Sequence, residues 1–356
     1  MPVDSSPLEA TVTDHWSPPE TTVVTGAGGW LGRALVHRLL EDPERPKLRL
    51  LAHTTAEATA LAALGGKVDV VIGDIAKADT SQRLLHGVGR NCDVIHTAGV
   101  IHPARVSQFY EVNAAGAAHL AEASLDQGVR RLVHVSSNSP FGTNPQPSDT
   151  FRATEPFNPY LGYGRSKMQG ELAVTECGQR GLDATIVRPP WFYGPFQPPR
   201  QTTFFRMVRA GRFPVVGNGE QRRSMVYVEN LVDGVLLAEL TPQARGKGYW
   251  IADRRAYTVN EIVETVGRAL VDEGFDVKPP STRLPNLAGR VAELGDRMLQ
   301  RIGVYQQQLH VLGEMNKTIA CDISQSTTDL GYDPQIELYD GMRRSIRWCV
   351  AEGLEL

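Results

Sequence analysis

Residues 21–42 read "TTVVTGAGGWLGRALVHRLLED", and this stretch decides the fold. It passes from a β-branched run, Thr21 to Thr25, through a glycine cluster to apolar residues at helical spacing, Leu31, Leu35 and Leu39. The pattern predicts strand, tight turn, helix. Gly26, Gly29 and Gly32 follow a G-x-x-G-x-x-G spacing, a variant of the dinucleotide fingerprint. Without side chains they let the backbone turn sharply and approach a pyrophosphate, whose charge is met by the amides at the helix N-terminus. A glycine cluster alone is only a turn; between a strand and a helix it carries more weight.

Working outward, the alternation continues. "KLRLLAH" predicts a second strand, "EATALAALGG" a helix, "VDVVIGDI" a third strand and "CDVIHTAG" a fourth. "GAAHLAEASLDQG" predicts a helix, "VRRLVHVSS" a fifth strand, and "DATIVRPPWFYGP" opens further mixed segments. Strands alternating with helices, several of them continuously apolar, indicate a parallel sheet covered on both faces, a doubly wound α/β fold with a smaller C-terminal lobe. Ligands of such sheets bind beyond the C-terminal strand ends, which brings "TGAGGW", "GDI", "TAGVIH" and "SSNSPFG" together. Asp74 is placed to accept a hydrogen bond from an adenine amino group, with Ile75 and Ala98 in the same loop cluster expected at the cofactor. The plainer alternative for Asp74 is an acidic turn residue.

The chain has 356 residues, 41% hydrophobic and 22% charged, enough to bury a large core. The expected organisation is a mobile tail over 1–20, a mainly dinucleotide-binding domain over 21–190, and a mainly substrate-binding lobe over 191–356 with segments returning to the first domain. A net charge of -3 gives no general attraction to nucleic acid or anionic membranes. Cys92, Cys177, Cys321 and Cys349 are far apart without a Cys-x-x-Cys pair, which argues against zinc or disulfides and for reduced thiols in the cytoplasm. The first twenty residues do not read as a signal peptide, and no run reaches the roughly 18 apolar residues of a spanning helix. No histidine pair has metal-ligand spacing beside a carboxylate. His96 and His134 are expected as satisfied strand residues, and His102 as a candidate for the cavity wall.

"GYGRSK", residues 162–167, puts Tyr163 four positions before Lys167, on one face of a helix. An ammonium there lowers the phenol pKa towards the range of a general acid or base. Both residues are common on solvated helices, so the spacing needs support. Ser136 and Ser137 supply it: they end the fifth strand, where a hydroxyl can hold the oxygen of a reacting alcohol or ketone. No Gly-x-Ser-x-Gly elbow suggests a hydrolase.

With these signals in order, the chain resembles the extended short-chain dehydrogenase/reductase superfamily, of the NAD-dependent epimerase/dehydratase type. The resemblance rests on "TGAGGWLG", "GDI", "HTAG", "VNAAG", "VSSNSPFG", "YGRSK", "RPPWFYGP", "RRSMVYVENLVDG", "DLGYDP" and "GMRRSIRW", and covers about Thr21 to Trp348. It implies that Tyr163 is the acid/base, that Lys167 lowers its pKa and binds the nicotinamide ribose, and that Ser137, with Ser136 as fallback, is the catalytic hydroxyl. It implies further that amides around Trp30 and Leu31 hold the pyrophosphate, that Pro190 lies near the nicotinamide carboxamide, and that Asn138 and Trp191 meet the substrate. A homodimer paired through the helices after "VNAAG" and around "GRSKMQGELAV" is also implied.

The finer chemistry stays open. "RLLAHTTAE" offers no acidic residue at the strand end to bind the adenosine ribose, and His53 stands where an NADP-preferring relative has arginine; NAD or NADP is expected, leaning to NADP. "GNGEQRRSMVYVENLVDG" resembles nucleotide-sugar enzymes, with Arg223 as the clamp on a substrate pyrophosphate. Trp191 departs from that pattern, standing where sugar-nucleotide epimerases usually have asparagine. In "RLPNLAGRVAELGDRMLQRIG", Leu284, Leu287, Val291, Leu294 and Met298 form one helical apolar stripe, expected as core packing or a lid. A membrane-surface helix is disfavoured because the polar face is not strongly basic. Three readings compete: an oxidoreductase or epimerase on a nucleotide-linked sugar, a dehydrogenase for an apolar alcohol of 3β-hydroxysteroid or dihydroflavonol type, and a cofactor-binding regulator without turnover. Dehydration is discounted, because Asn138 and Ser139 replace the acidic pair usual after the strand-end hydroxyl.

Overall fold

The computed structural model describes residues 15–356. Six strands, β1 (Thr21–Thr25), β2 (Leu48–Ala52), β3 (Val68–Ile72), β4 (Cys92–His96), β5 (Arg131–Val135) and β6 (Ala184–Arg188), alternate with helices α1 (Trp30–Glu41), α2 (Thr55–Ala62), α3 (Ala78–Leu85), α4 (Gly116–Gln127) and α5 (Leu161–Gln179). One π-helical turn, Phe109–Ala115, leads into α4. All neighbouring strands of this sheet pair in parallel. Every residue of β1, β4, β5 and β6 is buried, so the continuously apolar runs are those of a sheet covered twice.

The remaining elements are β7 (Trp191–Tyr193), α6 (Pro199–Arg209), β8 (Val215–Val216), β9 (Arg222–Tyr227), α7 (Val228–Leu240), β10 (Gly248–Trp250), β11 (Ala256–Thr258), α8 (Val259–Asp272), β12 (Arg283–Leu284), α9 (Asn286–Arg301), α10 (Gln307–Glu314), α11 (Ser324–Leu330) and α12 (Leu338–Ala351). The main sheet has the order β10-β6-β5-β4-β1-β2-β3, so its direction of winding reverses between β1 and β4. A crevice opens at their C-terminal ends, where this class of sheet takes its ligands.

One face of the sheet packs on Leu35 and Leu39 of α1 and on Leu231 and Val235 of α7; the other packs on Leu84 of α3, Leu120 of α4 and Val174 of α5. The second half of the chain thus contributes both β10 and a covering helix, α7, to the first layer system. A separate core gathers α6, α8 and α12 around Phe205, Val266 and Met342, beside the small sheet β11-β9-β7. Thr258 and Glu261 start α8 with a reciprocal capping box.

Residues 1–14 of the expected tail lie outside the described residues. The rest of it is docked: the Trp16 N–H donates to the Leu240 carbonyl at 2.7 Å and its ring lies 4.3 Å from the Arg131 guanidinium. Leu284 does not belong to the predicted helix. It precedes Pro285, which disfavours helical backbone at the residue before it, and it pairs instead with Val216. The rest of the stripe is not core: Leu287 is 65% exposed and Met298 57%. Among the described residues no helix is long and apolar enough to cross a membrane.

Candidate active site

The fingerprint turn is set by contacts no side chain would allow. Gly26 has φ +70°, and a Cβ there would stand 2.6 Å from the Ala98 nitrogen; a Cβ on Gly32 would stand 1.9 Å from the Gly26 carbonyl oxygen. The turn is therefore pressed against the loop after β4 on one side and against α1 on the other. α1 begins at Gly29 with no side-chain cap and no acidic residue in its first turn. Its leading amides, around Trp30 and Leu31, form a bare positive helix end, and an anionic pyrophosphate fits such a cradle. Leu31 itself is a core residue, whereas the Trp30 indole donates to the Pro195 carbonyl at 2.7 Å and packs on Phe192 at 4.5 Å.

At the end of β2 the structure corrects the expectation of no acidic group. Glu57, in the first turn of α2, reaches back: its carboxylate accepts the Gly28 N–H at 3.1 Å and the His53 N–H at 2.8 Å. A carboxylate thus bridges the fingerprint turn and the strand end where an adenosine ribose belongs. His53 contributes its backbone to this bridge. Asp74 is half-buried, with one carboxylate oxygen accepting the Ala76 N–H at 3.0 Å. Ile75 is buried against Gly116, and Ala98 lies under the Gly26 turn.

The helix with Tyr163 and the strand end with Ser137 meet at a cavity of about 390 Å³. Ser136, Ser137, Asn138, Tyr163, Pro190, Trp191 and Arg223 all border it, as does His102. Ser137 Oγ accepts the Ser139 N–H at 3.3 Å. Gly164 makes the juxtaposition fit: a Cβ there would stand 2.4 Å from the Ser139 carbonyl oxygen, so only glycine lets this loop lie on the start of α5. Lys167, one turn after Tyr163, is buried and donates to the Val135 carbonyl at 2.8 Å. Burial pulls its pKa down to about 8, with Glu171 opposing the shift.

Asn113 is a site-shaping residue that the sequence reading did not assign, although it stands in "VNAAG". Its side chain accepts the Val100 N–H at 2.8 Å and donates to the Val100 carbonyl and to Ser166 Oγ, while Ser166 donates to the Tyr163 carbonyl. It ties the loop after β4 to the helix of Tyr163. Beneath them His96 and His134 stack at 5.2 Å. Burial, reinforced by Lys167, drives His96 down to about 3 and His134 well below the usual histidine range. The expectation that both are satisfied is corrected. His96 Nδ1 bonds Thr25 Oγ1 at 2.6 Å, but His134 has no partner on either nitrogen among the described residues, because it faces a neighbouring neutral ring in the interior.

The outer cavity is mainly apolar, walled by Phe204, Met207, Phe213, Ile262, Val263 and Met315, with Gln201, Thr203 and Gln307 among them. Trp191 packs edge-on against Phe204 at 5.3 Å. Arg223 is recessed in this wall and donates to the Glu314 carbonyl. Loss of hydration lowers its pKa, with Glu314 opposing. A larger hollow of about 610 Å³ lies between α8 and α12, away from Tyr163, and is edged by the mutually paired Arg255 and Glu261.

Comparison with known proteins agrees with this architecture. The chain is 43% identical to an uncharacterized protein of Sinorhizobium fredii, over 93% of this chain and 95% of that one. It is 26% identical to the 2-alkyl-3-oxoalkanoate reductase of Shewanella oneidensis, over 90% and 84%. Among solved structures, the dTDP-glucose 4,6-dehydratase of Streptomyces venezuelae, crystallised with NAD, superposes with a TM-score of 0.73 at 25% identity, over 94% of this chain and 99% of that one. The family model described as the NAD dependent epimerase/dehydratase family matches residues 22–252. The chain belongs to that family, as an enzyme of the extended short-chain dehydrogenase/reductase type.

Proposed function

We propose that the protein is an NAD-linked oxidoreductase that interconverts a secondary alcohol and a ketone on an apolar molecule, in preference to a nucleotide-linked sugar. The observation that carries this reading is the cavity wall. Beyond Tyr163 and Ser137 its surface is mainly aromatic and aliphatic, with Gln201, Thr203, Gln307 and His310 among them, and Arg223, the one guanidinium bordering it among the described residues, is already engaged by the Glu314 carbonyl and faces the Glu314 carboxylate. A pyrophosphate entering there meets one compensated cation and a competing anion. The reductase from Shewanella, whose name specifies an alkyl oxoalkanoate, supports the same direction.

In this reading the Tyr163 phenol gives its proton to the ketone oxygen on reduction, and the phenolate takes it back on oxidation. Lys167, held as an ammonium beneath it, favours the phenolate, and Ser137 holds the reacting oxygen in place. A nicotinamide supplies the hydride acceptor or donor. Gly26, Gly29, Gly32 and the amides of Trp30 and Leu31 would hold the pyrophosphate, Asp74, Ile75 and Ala98 the adenine side, and Pro190 the carboxamide. Glu57 favours NAD over NADP, reversing the lean drawn from the strand end alone. The exposed side of α5, with Leu172 at 48%, is the face through which two copies would pair; sedimentation velocity tests that pairing.

The deciding experiment is a substrate panel: hydride transfer followed at constant NADH with long-chain and polycyclic ketones and with keto-sugar nucleotides. Turnover of the apolar ketones is expected. Turnover confined to sugar nucleotides overturns the reading.

A further inference from the structure

Of the fifteen large apolar side chains left exposed among the described residues, seven lie between Leu287 and Val311. On α9, Leu287, Val291, Leu294 and Met298 recur every three or four residues and form one outward stripe that Ile302 continues, with exposures from 54% to 74%. A stripe this continuous costs solubility unless something covers it. Its border is equally ordered. Arg290, Arg297 and Arg301 follow at spacings of seven and four and lie along one edge of the stripe, all exposed. The two carboxylates of the helix are turned away from that surface. Asp296 is buried and bonded to His310 at 2.8 Å, and Glu293 is held by Arg297 and Lys317. Arg290 and Arg301 have no ion-pair partner among the described residues. The outward face of α9 therefore carries large apolar groups and guanidiniums and no unpaired carboxylate, which removes the objection drawn from the sequence that its polar face is not strongly basic: the two acids counted there are engaged elsewhere.

The inner face of the same helix holds the elements that border the active site. Gln300 accepts the N–H of Gly162, next to Tyr163, at 3.0 Å, and α9 is tied through Asp296 to α10, whose Val311 is both 44% exposed and part of the cavity wall. Ile101 has the same double position, 36% exposed and at the cavity.

We propose that α9 docks this enzyme on the surface of an anionic lipid bilayer, the stripe entering the headgroup boundary and the arginine edge meeting lipid phosphates. A second copy of the chain would cover the stripe but brings no unpaired carboxylate on that face to meet the arginine edge; an anionic bilayer answers both features at once. Docked in this way, the cavity rim at Val311 and Ile101 lies near the interface in which an apolar ketone dissolves. That consequence rests on the proposed substrate class; the docking itself does not.

The test is co-sedimentation of the full chain, without substrate, with phosphatidylcholine vesicles and with vesicles also containing phosphatidylglycerol. Binding is expected to the anionic vesicles, at least about tenfold stronger than to the neutral ones. The double variant Leu294→Glu, Met298→Glu should lose it, and Arg290→Gln with Arg301→Gln should lose the anionic preference. Both variants should keep their melting temperature and their turnover of a short water-soluble ketone. Wild-type protein that stays in the supernatant with anionic vesicles overturns the proposal. So does a lipid-free dimer that the double glutamate variant converts to monomer, which would make a second copy the occupant. Failure on vesicles leaves the substrate reading standing, and a failed substrate panel leaves vesicle binding intact.

Discussion

Lys167 donates to the carbonyl of Val135 at 2.8 Å, so a single charged hydrogen bond joins the helix of Tyr163 to the strand that ends in Ser137. Its folded pKa of about 8 lies below the free value of 10.5 because burial penalises the ammonium. Between those values the unfolded chain binds the extra proton, so this group's contribution to stability rises with pH across that window and is flat below it. Lys167→Met should remove that rise in the cofactor-free protein, read from urea midpoints against pH. The same variant should move the pH profile of kcat/KM upward, because the Tyr163 phenol loses its cation. Tyr163→Phe should cut turnover by about two to four orders of magnitude with cofactor affinity unchanged. Normal turnover in that variant sinks the assigned acid/base.

Glu57 gives the second prediction. A carboxylate bridging the Gly28 and His53 amides would repel a 2′-phosphate and accept a hydrogen bond from a 2′-hydroxyl in the proposed cofactor site. Wild-type protein should bind NADH more tightly than NADPH. Glu57→Gln should narrow the gap by about tenfold, the effect of one partly screened charge. Quenching of tryptophan fluorescence on titration with each cofactor measures both affinities. Equal wild-type affinities would remove the assigned role.

The contrast between these two residues shows what the sequence could display. Tyr163 and Lys167 were legible because their relation is local, four residues on one helix, and the strand-turn-helix at Thr21 to Glu41 was legible because the apolar period changes at the glycines. Glu57 was in plain view within "RLLAHTTAE", but its reach back to Gly28 depends on where α2 starts relative to another loop. The stripe on α9 was found by its period, yet a period fixes only which residues share a face. Whether that face looks inward was decided by Asp296, Gln300 and Ala292 on the opposite side, which are the residues that dock. Arg223, expected as a clamp on a substrate pyrophosphate, borders the cavity, but its engagement by Glu314 could not be read from "EQRRSM".

A buried ion pair supplies a stability prediction. The Arg45 guanidinium and the Glu239 carboxylate, 2% and 0% exposed, make two parallel bonds of 2.9 and 2.7 Å that tie the loop after α1 to the end of α7. Glu239→Ala strands a buried cation and should cost about 3 kcal/mol, the lower end of the usual range, because Asp42 and Thr22 remain as partners of Arg45. Replacing both partners, Arg45→Met with Glu239→Leu, should recover most of that loss. Chemical denaturation of the three variants measures it, and an unchanged midpoint for Glu239→Ala contradicts the assignment.

Gly164 offers the sharpest separation of activity from stability. Its missing Cβ leaves room for the Ser139 carbonyl, which also accepts the N–H of Tyr160 and of Gly142. Those bonds hold the loop of Ser137 against the first turn of the helix that carries Tyr163. Gly164→Ala places a methyl 2.4 Å from that oxygen, so loop and helix must separate by roughly an ångström to restore ordinary contact. Alanine favours helix over glycine by about 1 kcal/mol, which offsets part of the strain, so the melting temperature should move little. Catalysis has no such compensation, because in the proposed mechanism a displacement of that size between the Ser137 hydroxyl and the Tyr163 phenol costs on the order of a hundredfold. The expected signature is a large fall in kcat with a nearly unchanged melt and unchanged cofactor affinity. A kcat within a few fold of wild type would show that the loop after β5 does not set the distance between Ser137 and Tyr163.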